Sequence, residues 1–577
     1  PEALEPRTVL SSGYFQLTLA SDLAASALVQ DPNLVGPWGM TANTSGGDLW
    51  VVDGGSGLAT HYSGAAGATA TPFQENSSTI GNIGAQPRGD AFNGSSNFVV
   101  QSGAASGPAT LLFDSEDGKI SGWNTSVPPP SPSPSAQTAA TTTSGAIYTG
   151  IALENDSSRH LIYAADFHDA RVDVFDSGFN RVTLAGSFTD PNLPAGYAPY
   201  NIVNTGSKLL VSFAQQDSNQ QNAVAGASRG IVDAFNYDGQ LLDTLIAGGP
   251  SHPTSKLNAP WGMAIAPAGF GDFSGELLVA NTGDGAINAF DSTTGAYQGT
   301  LSSPAGNPLV ANGLHGLSFG NGSAGNSNTL FYTADGSGGQ HGVLGEIISA
   351  QNSQFPAVGP ILSVSAHDTF DGVVAVFNDI HSDPLNSYSA VINWGDGSAL
   401  ATGTVVALPS GGFGVVGSHV YGTVGQYALS VRLVDTQNST ATASGSVSVS
   451  AARLVFGSTA PTATEGLQFS GAVATFTDQD GNPNPFIYQA TIDWGDGTTT
   501  AGTVTGAGSD SFTVNGTHTY ASQGSEPMTI TVNDFDGSTG TAHITASVVS
   551  SMTGLPVTIQ TSETVGFSGT VATFTDA

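Results

Sequence analysis

Apolar and polar positions alternate in short runs along this chain, and glycine, proline or asparagine interrupts them every few residues. The pattern is fullest between Ala259 and Ser303. Trp261–Ala266 begins at a Pro-Trp-Gly corner and stops at Pro267, which has no N–H to give to a ladder. Glu276–Ala280 is a β-favouring run, and the following NTGDG is turn chemistry with glycines free to take positive φ. Ala286–Phe290 then alternates with period two, and Tyr297–Leu301 completes a unit of four strands.

The corner that opens this unit recurs. Pro37-Trp38-Gly39, Pro87-Arg88-Gly89, Tyr148-Thr149-Gly150, Pro199-Tyr200-Asn201, Pro260-Trp261-Gly262 and Leu314-His315-Gly316 stand about 50 to 60 residues apart, as repeat arrays do. Later strands recur as well: DLWVVDGG from Asp48, LIYAADFHDARVDVFD from Leu161, KLLVSFAQQD from Lys208 and TLFYTADG from Thr329. Six four-stranded units in radial repetition predict a six-bladed β-propeller. The sixth unit ends near Ile348 without a fourth strand, and the alternating run Tyr14–Leu19 is free to supply it and close the ring.

After Ser349 the period lengthens. Phe370, Phe469 and Phe567 open matching runs about 100 residues apart, the size of an immunoglobulin-like sandwich. Trp394-Gly395-Asp396-Gly397 matches Trp494-Gly495-Asp496-Gly497, and His419-Val420-Tyr421 matches His518-Thr519-Tyr520. The third copy breaks off at Ala577 after its first strand, which cannot fold as a sandwich by itself. The natural chain is expected to continue, the alternative being a strand that pairs with a neighbouring molecule's edge.

On the motifs DPNLVGPWGM, EDGKISGWN, LPAGYAPYNI, APWGMAIAP and AGFGDFSGELLVAN, the stretch from Ser12 to Ser349 resembles a family of exported bacterial six-bladed propellers with NHL-like blades and uncharacterised function. The WGDG and HxY pairs between Pro360 and Val549 resemble tandem PKD domains, which are common in bacterial surface proteins and modular extracellular enzymes. Leu4-Glu5-Pro6-Arg7-Thr8-Val9-Leu10-Ser11 resembles the LEPR-x-LL tag of large bacterial extracellular proteins, and is otherwise a plain leader. These resemblances imply an all-β chain: a six-bladed β-propeller followed by immunoglobulin-like (PKD-like) β-sandwiches, living outside the cell or on its surface. The expected boundaries are a leader over 1–13, the propeller over 14–350, a linker over 351–362, sandwiches over 363–450 and 451–550, and an incomplete third repeat over 551–577.

Composition narrows this further. The chain's 577 residues exceed the roughly 250 to 300 that one core organises. It carries 45 acidic residues against 11 basic ones, a net charge of -34, which repels nucleic-acid phosphates, and no basic stripe offsets it. There is no cysteine, so neither disulfides nor thiolate metal sites form. No apolar run approaches the roughly 18 to 20 residues of a membrane-spanning helix. The proline-rich TSVPPPSPSPSAQTAATTTS, between Asn124 and Gly145, is expected to be an exposed polyproline-like excursion.

Two residue sets carry candidate chemistry. The middle residues of the corners, Trp38, Arg88, Thr149, Tyr200, Trp261 and His315, should ring one mouth of the channel, as a stacking platform for a sugar or peptide side chain or as packed blade wedges. Asp53, Asp166, Asn281 and Asp335, with His168 nearby, end the second strands and offer oxygen ligands, or they are turn formers. In the sandwiches Asp478 and Asp480, and Asp534 and Asp536, alternate around a glycine as calcium loops do, but no downstream bidentate Glu follows, and Asp-capped turns explain them as well. Such oxygen sets would suit Ca²⁺ or a similar hard cation, and no other cofactor is expected. There is no HExxH, GxSxG or P-loop, and nothing in the sequence points to a catalytic triad.

The balance is against an enzyme. The expected role is structural or adhesive: a propeller head displayed on, or assembled through, a stalk, meeting carbohydrate or protein at the cell surface or copies of itself. The alternative is a metal-dependent hydrolase or lactonase working in the channel, as the resemblance of the second set to six-bladed lactonase-like enzymes implies.

Overall fold

The computed structural model describes residues 13–575 apart from 25, 43–46, 66–70, 143–144, 156–158, 323, 326, 337, 352–354, 380–382, 410, 437–438, 479–483, 507–510 and 536. The tag-like stretch Leu4–Ser11, Asp480 and Asp536 therefore lie outside the described residues. The chain forms two compact units, residues 1–362, 371–417 and 428–446, and residues 363–370, 418–427 and 447–577. The regular secondary structure is almost all strand; the helical turns among the described residues are Leu385–Ser387 and Pro485–Ile487. Among those residues no helix is long and apolar enough to cross a membrane.

The first unit contains six antiparallel blades. The innermost strands, in chain order, are Pro37–Ala42, Pro87–Phe92, Tyr148–Asn155, Tyr197–Asn204, Pro260–Ile265 and Leu314–Phe319. Each packs on the next and the sixth packs on the first, which makes a closed ring. In the fifth blade the order is Pro260–Ile265, Leu277–Asn281, Ile287–Phe290 and Tyr297–Thr300, with the turns where NTGDG and Gly295 allow them. The sixth blade takes Tyr14–Ser21 beside Val343–Ser349, paired from Tyr14↔Ser349 to Ser21↔Val343 with a one-residue shift between Thr18 and Ala20. All eight residues of that strand are buried, because it lies inside a five-stranded sheet whose outermost member is Val29–Gln30.

The second blade departs from the repeat. A hairpin, Val99–Ser102 with Ala105–Pro108, is inserted between its first strand and its second, Leu111–Ser115. Its proline-rich tail is not a free excursion. Val127, Ser133 and Ala136 are buried, Trp123 donates its indole N–H to the Ser133 carbonyl at 2.9 Å, and Gly81 donates to the Pro134 carbonyl at 2.9 Å. Proline lacks a donor but keeps its carbonyl, so such a segment can still be tied down as an acceptor.

Within the first unit, Phe15, Leu17 and Phe73 of the propeller share one core with Val358, Val373, Val376 and Leu408. Residues 357–450, which the division into units cuts through, form an eight-stranded sheet in the order Ala357–Val358, Thr369–Phe377, Phe413–Val420, Ala401–Ala407, Ser389–Asn393, Gly425–Val434, Thr440–Ser450, Ile361–Ser365.

The second unit contains the matching sheet: Leu454–Ser458, Gln468–Asp478, Ser511–Thr519, Thr499–Gly506, Tyr488–Asp493, Gly524–Asp534, Thr539–Val549, Thr462–Thr464. It curls around one core. Tyr488–Asp493 alternates buried and exposed residues, and its inward side chains meet Trp494, Phe476, Phe512, Val514 and Ile530. Thr553–Pro556 pairs with Ala572–Thr575 as a separate two-stranded ribbon.

Candidate functional site

Five of the six innermost strands begin at their corner triplet and the fourth, Tyr197–Asn204, begins two residues before Pro199, so radial repetition brings the six triplets to one end of the channel. The third position of a triplet sits where the neighbouring blade's backbone passes. A Cβ on Gly39 would lie 2.7 Å from the Arg88 carbonyl oxygen, and one on Gly316 would lie 2.5 Å from that of Trp38. Glycine is there for close approach.

The middle residues meet. Trp38 stacks on His315 with centroids 3.8 Å apart, and meets Trp261 and Tyr200 edge-on at 5.6 and 6.1 Å. The Arg88 guanidinium lies 3.9 Å from the Trp38 ring centroid and donates from Nε to Glu116 at 2.7 Å. Trp261 donates its indole N–H to the Thr149 carbonyl at 2.7 Å. Trp38, Thr149, Tyr200, Trp261 and His315 are all buried. The set is a plug of mutually packed side chains. Burial lowers the His315 pKa, so its imidazole is neutral near pH 7, with Nε2 3.2 Å from the Asp335 carboxylate.

Beyond the triplets the channel widens into a cavity of about 630 Å³, walled by Met40, Ile151, Ile202, Met263 and Leu317, with Asp90 among them. Both Asp90 carboxyl oxygens are buried, and the two amides near them, its own and that of Thr41, do not reach hydrogen-bonding geometry. Burial, and then the Asp114 charge, push its pKa well above the ordinary value, while its own amide and that of Thr41 oppose the shift. Asp114 accepts the Gly89 N–H at 2.6 Å, and burial raises its pKa to about 7. Sequence reasoning missed both. The second strand of this blade is displaced by the inserted hairpin, and its LLFDS would have been the signal for Asp114.

The second-strand set does not share partners. Asp53 accepts from Thr60 Oγ1 at 2.9 Å, and Asp166 accepts from the amides of Ile147 and Asp169 and pairs with Arg171 at 3.0 Å. Asn281 accepts from the Asn258 amide and donates to the Lys256 carbonyl, Asp335 faces His315, and His168 contacts the Gln220 carbonyl. Asp478 accepts from Tyr488 at 2.9 Å, and Asp534 accepts from the Phe535 amide. Among the described residues, the one place where three carboxylate or imidazole ligand atoms lie within 4.8 Å of one another is Asp379, Asp383 and Asp435, outside the channel.

Buried carboxyls make the propeller's stability depend on pH. Burial raises Asp53 and Asp90 well above the ordinary 3.8, Asp114 and Asp233 to about 7 and Asp166 to about 6. Between about pH 4 and 7 the folded chain therefore holds more protons than the unfolded one, and the free energy of unfolding falls as pH rises. His315, lowered by burial, acts in the opposite sense but is one group against five. The melting temperature is expected to be higher at pH 5 than at pH 8, and Asp90→Asn to raise it at pH 8. A calorimetric melt that rises with pH across this range contradicts the assignment.

No family model matches the chain. It is 32% identical over 343 residues to Uncharacterized protein R648 of Acanthamoeba polyphaga mimivirus, spanning 58% of this chain and 80% of that protein. It is also 32% identical over 292 residues to Uncharacterized protein L690 of the same virus, spanning 50% and 74%. These relatives are viral, whereas the blade motifs resemble a bacterial exported family. Solved structures overlap more loosely: the PQQ-bound aldose sugar dehydrogenase of Streptomyces coelicolor is 13% identical, with 58% of this chain and 99% of that one covered and a TM-score of 0.32. A Bacteroides thetaiotaomicron protein of unknown function is 10% identical, with 58% and 76% covered and a TM-score of 0.36.

Proposed function

The chain belongs to the family of the mimivirus Uncharacterized protein R648, and from that premise we propose that it is an extracellular or cell-surface structural or adhesive protein, a propeller head joined to PKD-like sandwiches. The observation that carries this reading is the plug. Trp38, Arg88, Tyr200, Trp261 and His315 spend their faces and edges on one another, which builds a rigid floor under the propeller face. Such a floor suits recognition of carbohydrate, protein or a second copy across a broad surface.

A channel lactonase would need oxygen ligands that converge. Asp53, Asp166 and Asn281 are each held by their own neighbours instead. The PKD-like reading of 363–450 and 451–550 is supported by equivalent turns, with Gly395 and Gly397 at φ +83° and +84° and Gly495 and Gly497 at +87° and +89°. It is supported too by Trp394 and Trp494, both fully buried.

Antibodies against residues 14–350 are expected to label intact cells or particles that make the protein, without permeabilisation. Deleting the gene should reduce their adherence or surface assembly. Labelling only after permeabilisation would overturn the proposal.

A further inference from the structure

A second site lies on the first blade, away from the plug, and does not rest on the display reading. Asp48 precedes the strand Leu49–Asp53, His61 lies on Leu58–Ala65 and Ser78 on Thr71–Ile80, three neighbouring strands of one sheet. His61 Nδ1 is 2.7 Å from Asp48 Oδ2, and His61 Nε2 is 2.8 Å from Ser78 Oγ. Asn76 Nδ2 donates to the same Asp48 oxygen at 2.9 Å, and the Trp50 ring lies parallel to the imidazole at 4.2 Å, so the ring's orientation is set from two sides.

The strand register explains why the three residues meet. Ala59 pairs with Ile80 and His61 with Asn76, so Thr60 alone faces residues 77–79. That bulge takes Ser78 out of the ladder and aims it at the imidazole, as bulges beside active sites do. His61 is 9% exposed while Ser78 is exposed, so the base is shielded and the hydroxyl is open to a substrate. His61 and Ser78 also line a cavity of about 360 Å³ whose other walls include Trp50, Ile80, Trp123 and Pro134.

We propose that Ser78, His61 and Asp48 form a nucleophile, base and orienting carboxylate for acyl transfer, acting on carboxylic esters whose apolar acyl or aromatic group fills the pocket walled by Trp50, Ile80 and Trp123. The triad is recognised by geometry and roles, whatever the fold. With the imidazole proton on Nδ1 and donated to Asp48, the Nε2 lone pair takes the Ser78 proton as Oγ bonds to the ester carbonyl carbon. The tetrahedral adduct collapses, the bond to the leaving oxygen breaks, and that oxygen takes the proton from Nε2. Water then attacks the acyl-serine, gives its proton to His61, and releases the acid as the proton returns to Oγ. Asp48 acts through His61 and is a positioning residue.

The test uses the intact chain with an alkyl fluorophosphonate and with p-nitrophenyl butyrate. One phosphonyl adduct is expected, mapped by mass spectrometry to Ser78, and ester turnover should fall about a thousandfold in Ser78→Ala. Asp48→Asn should slow formation of the phosphonyl adduct without lowering its final stoichiometry, whereas a merely structural loss would lower the stoichiometry. Absence of an adduct on the unsubstituted chain, an adduct at another residue, or turnover by Ser78→Ala at the original rate would each overturn the proposal; the first two need no variant to fold.

Discussion

Deleting Tyr14–Ser21 is expected to abolish the cooperative unfolding transition of the propeller. The strand buries Tyr14, Phe15, Leu17 and Leu19, each at 1% exposure or less. At about 1.5 to 3 kcal/mol for each buried side chain, their loss is of the order of the whole stability of a domain, about 5 to 15 kcal/mol. Polar ties go with them. Tyr14 Oη accepts from the Phe273 amide at 3.0 Å, Gln16 donates to Tyr332 Oη at 2.8 Å, and the Tyr14 amide donates to the Ser302 carbonyl at 2.9 Å. The deletion would also leave Val343–Ser349 as an open edge ready to pair with another chain. Soluble yield should drop, and what remains should elute as aggregate and melt without a cooperative step. A deleted chain that stays monomeric and melts within a few degrees of the intact one would show that the ring does not depend on this strand. Leu17→Asp is the milder version, placing a charge at a fully enclosed position, and should lower the midpoint in urea without removing the backbone pairing.

The ring was legible because its signal is local. Five of the six corners end in glycine and the fourth in Asn201, and the alternation of Tyr14–Leu19 showed a strand in need of a sheet. The partners of the side chains were less legible, since they are decided by other parts of the chain. Asp53, Asp166 and Asn281 hold equivalent places in their blades, yet Thr60, Arg171 and Asn258 determine what each one contacts. Asp90 follows a corner triplet directly, but only the ring of innermost strands shows that its carboxyl faces the channel without a hydrogen bond. Asp48, His61 and Ser78 have no motif spacing; a bulge between two strands brings them together, and bulges leave little trace in residue types. The proline-rich segment read as solvent-exposed because a low-complexity run of this kind packs no core, while the contacts that hold it run through its carbonyls and the Trp123 indole.

Trp38→Ala is expected to cost about 3 to 5 kcal/mol, the range for truncating a buried tryptophan. The residue is 8% exposed and touches four members of the plug, so no single neighbour can collapse into the space it leaves. Aromatic pairs add about 0.5 to 1.5 kcal/mol beyond buried area, and the stacked His315 and edge-on Trp261 both lose that contribution. Trp38→Phe keeps an aromatic ring in the plug and should cost clearly less, which separates loss of the ring from loss of the indole edge. The histidine offers a second readout. His315 is held neutral by burial, with Trp38 as one wall of its enclosure, so truncation should admit water and move its pKa back up toward the ordinary 6.5. Urea denaturation gives the first quantity and the pH dependence of the His315 ring resonances the second. A loss under about 1 kcal/mol together with an unmoved His315 titration would mean that the corner residues are neighbours without being a plug, and the rigid floor proposed for the recognition face would go with them.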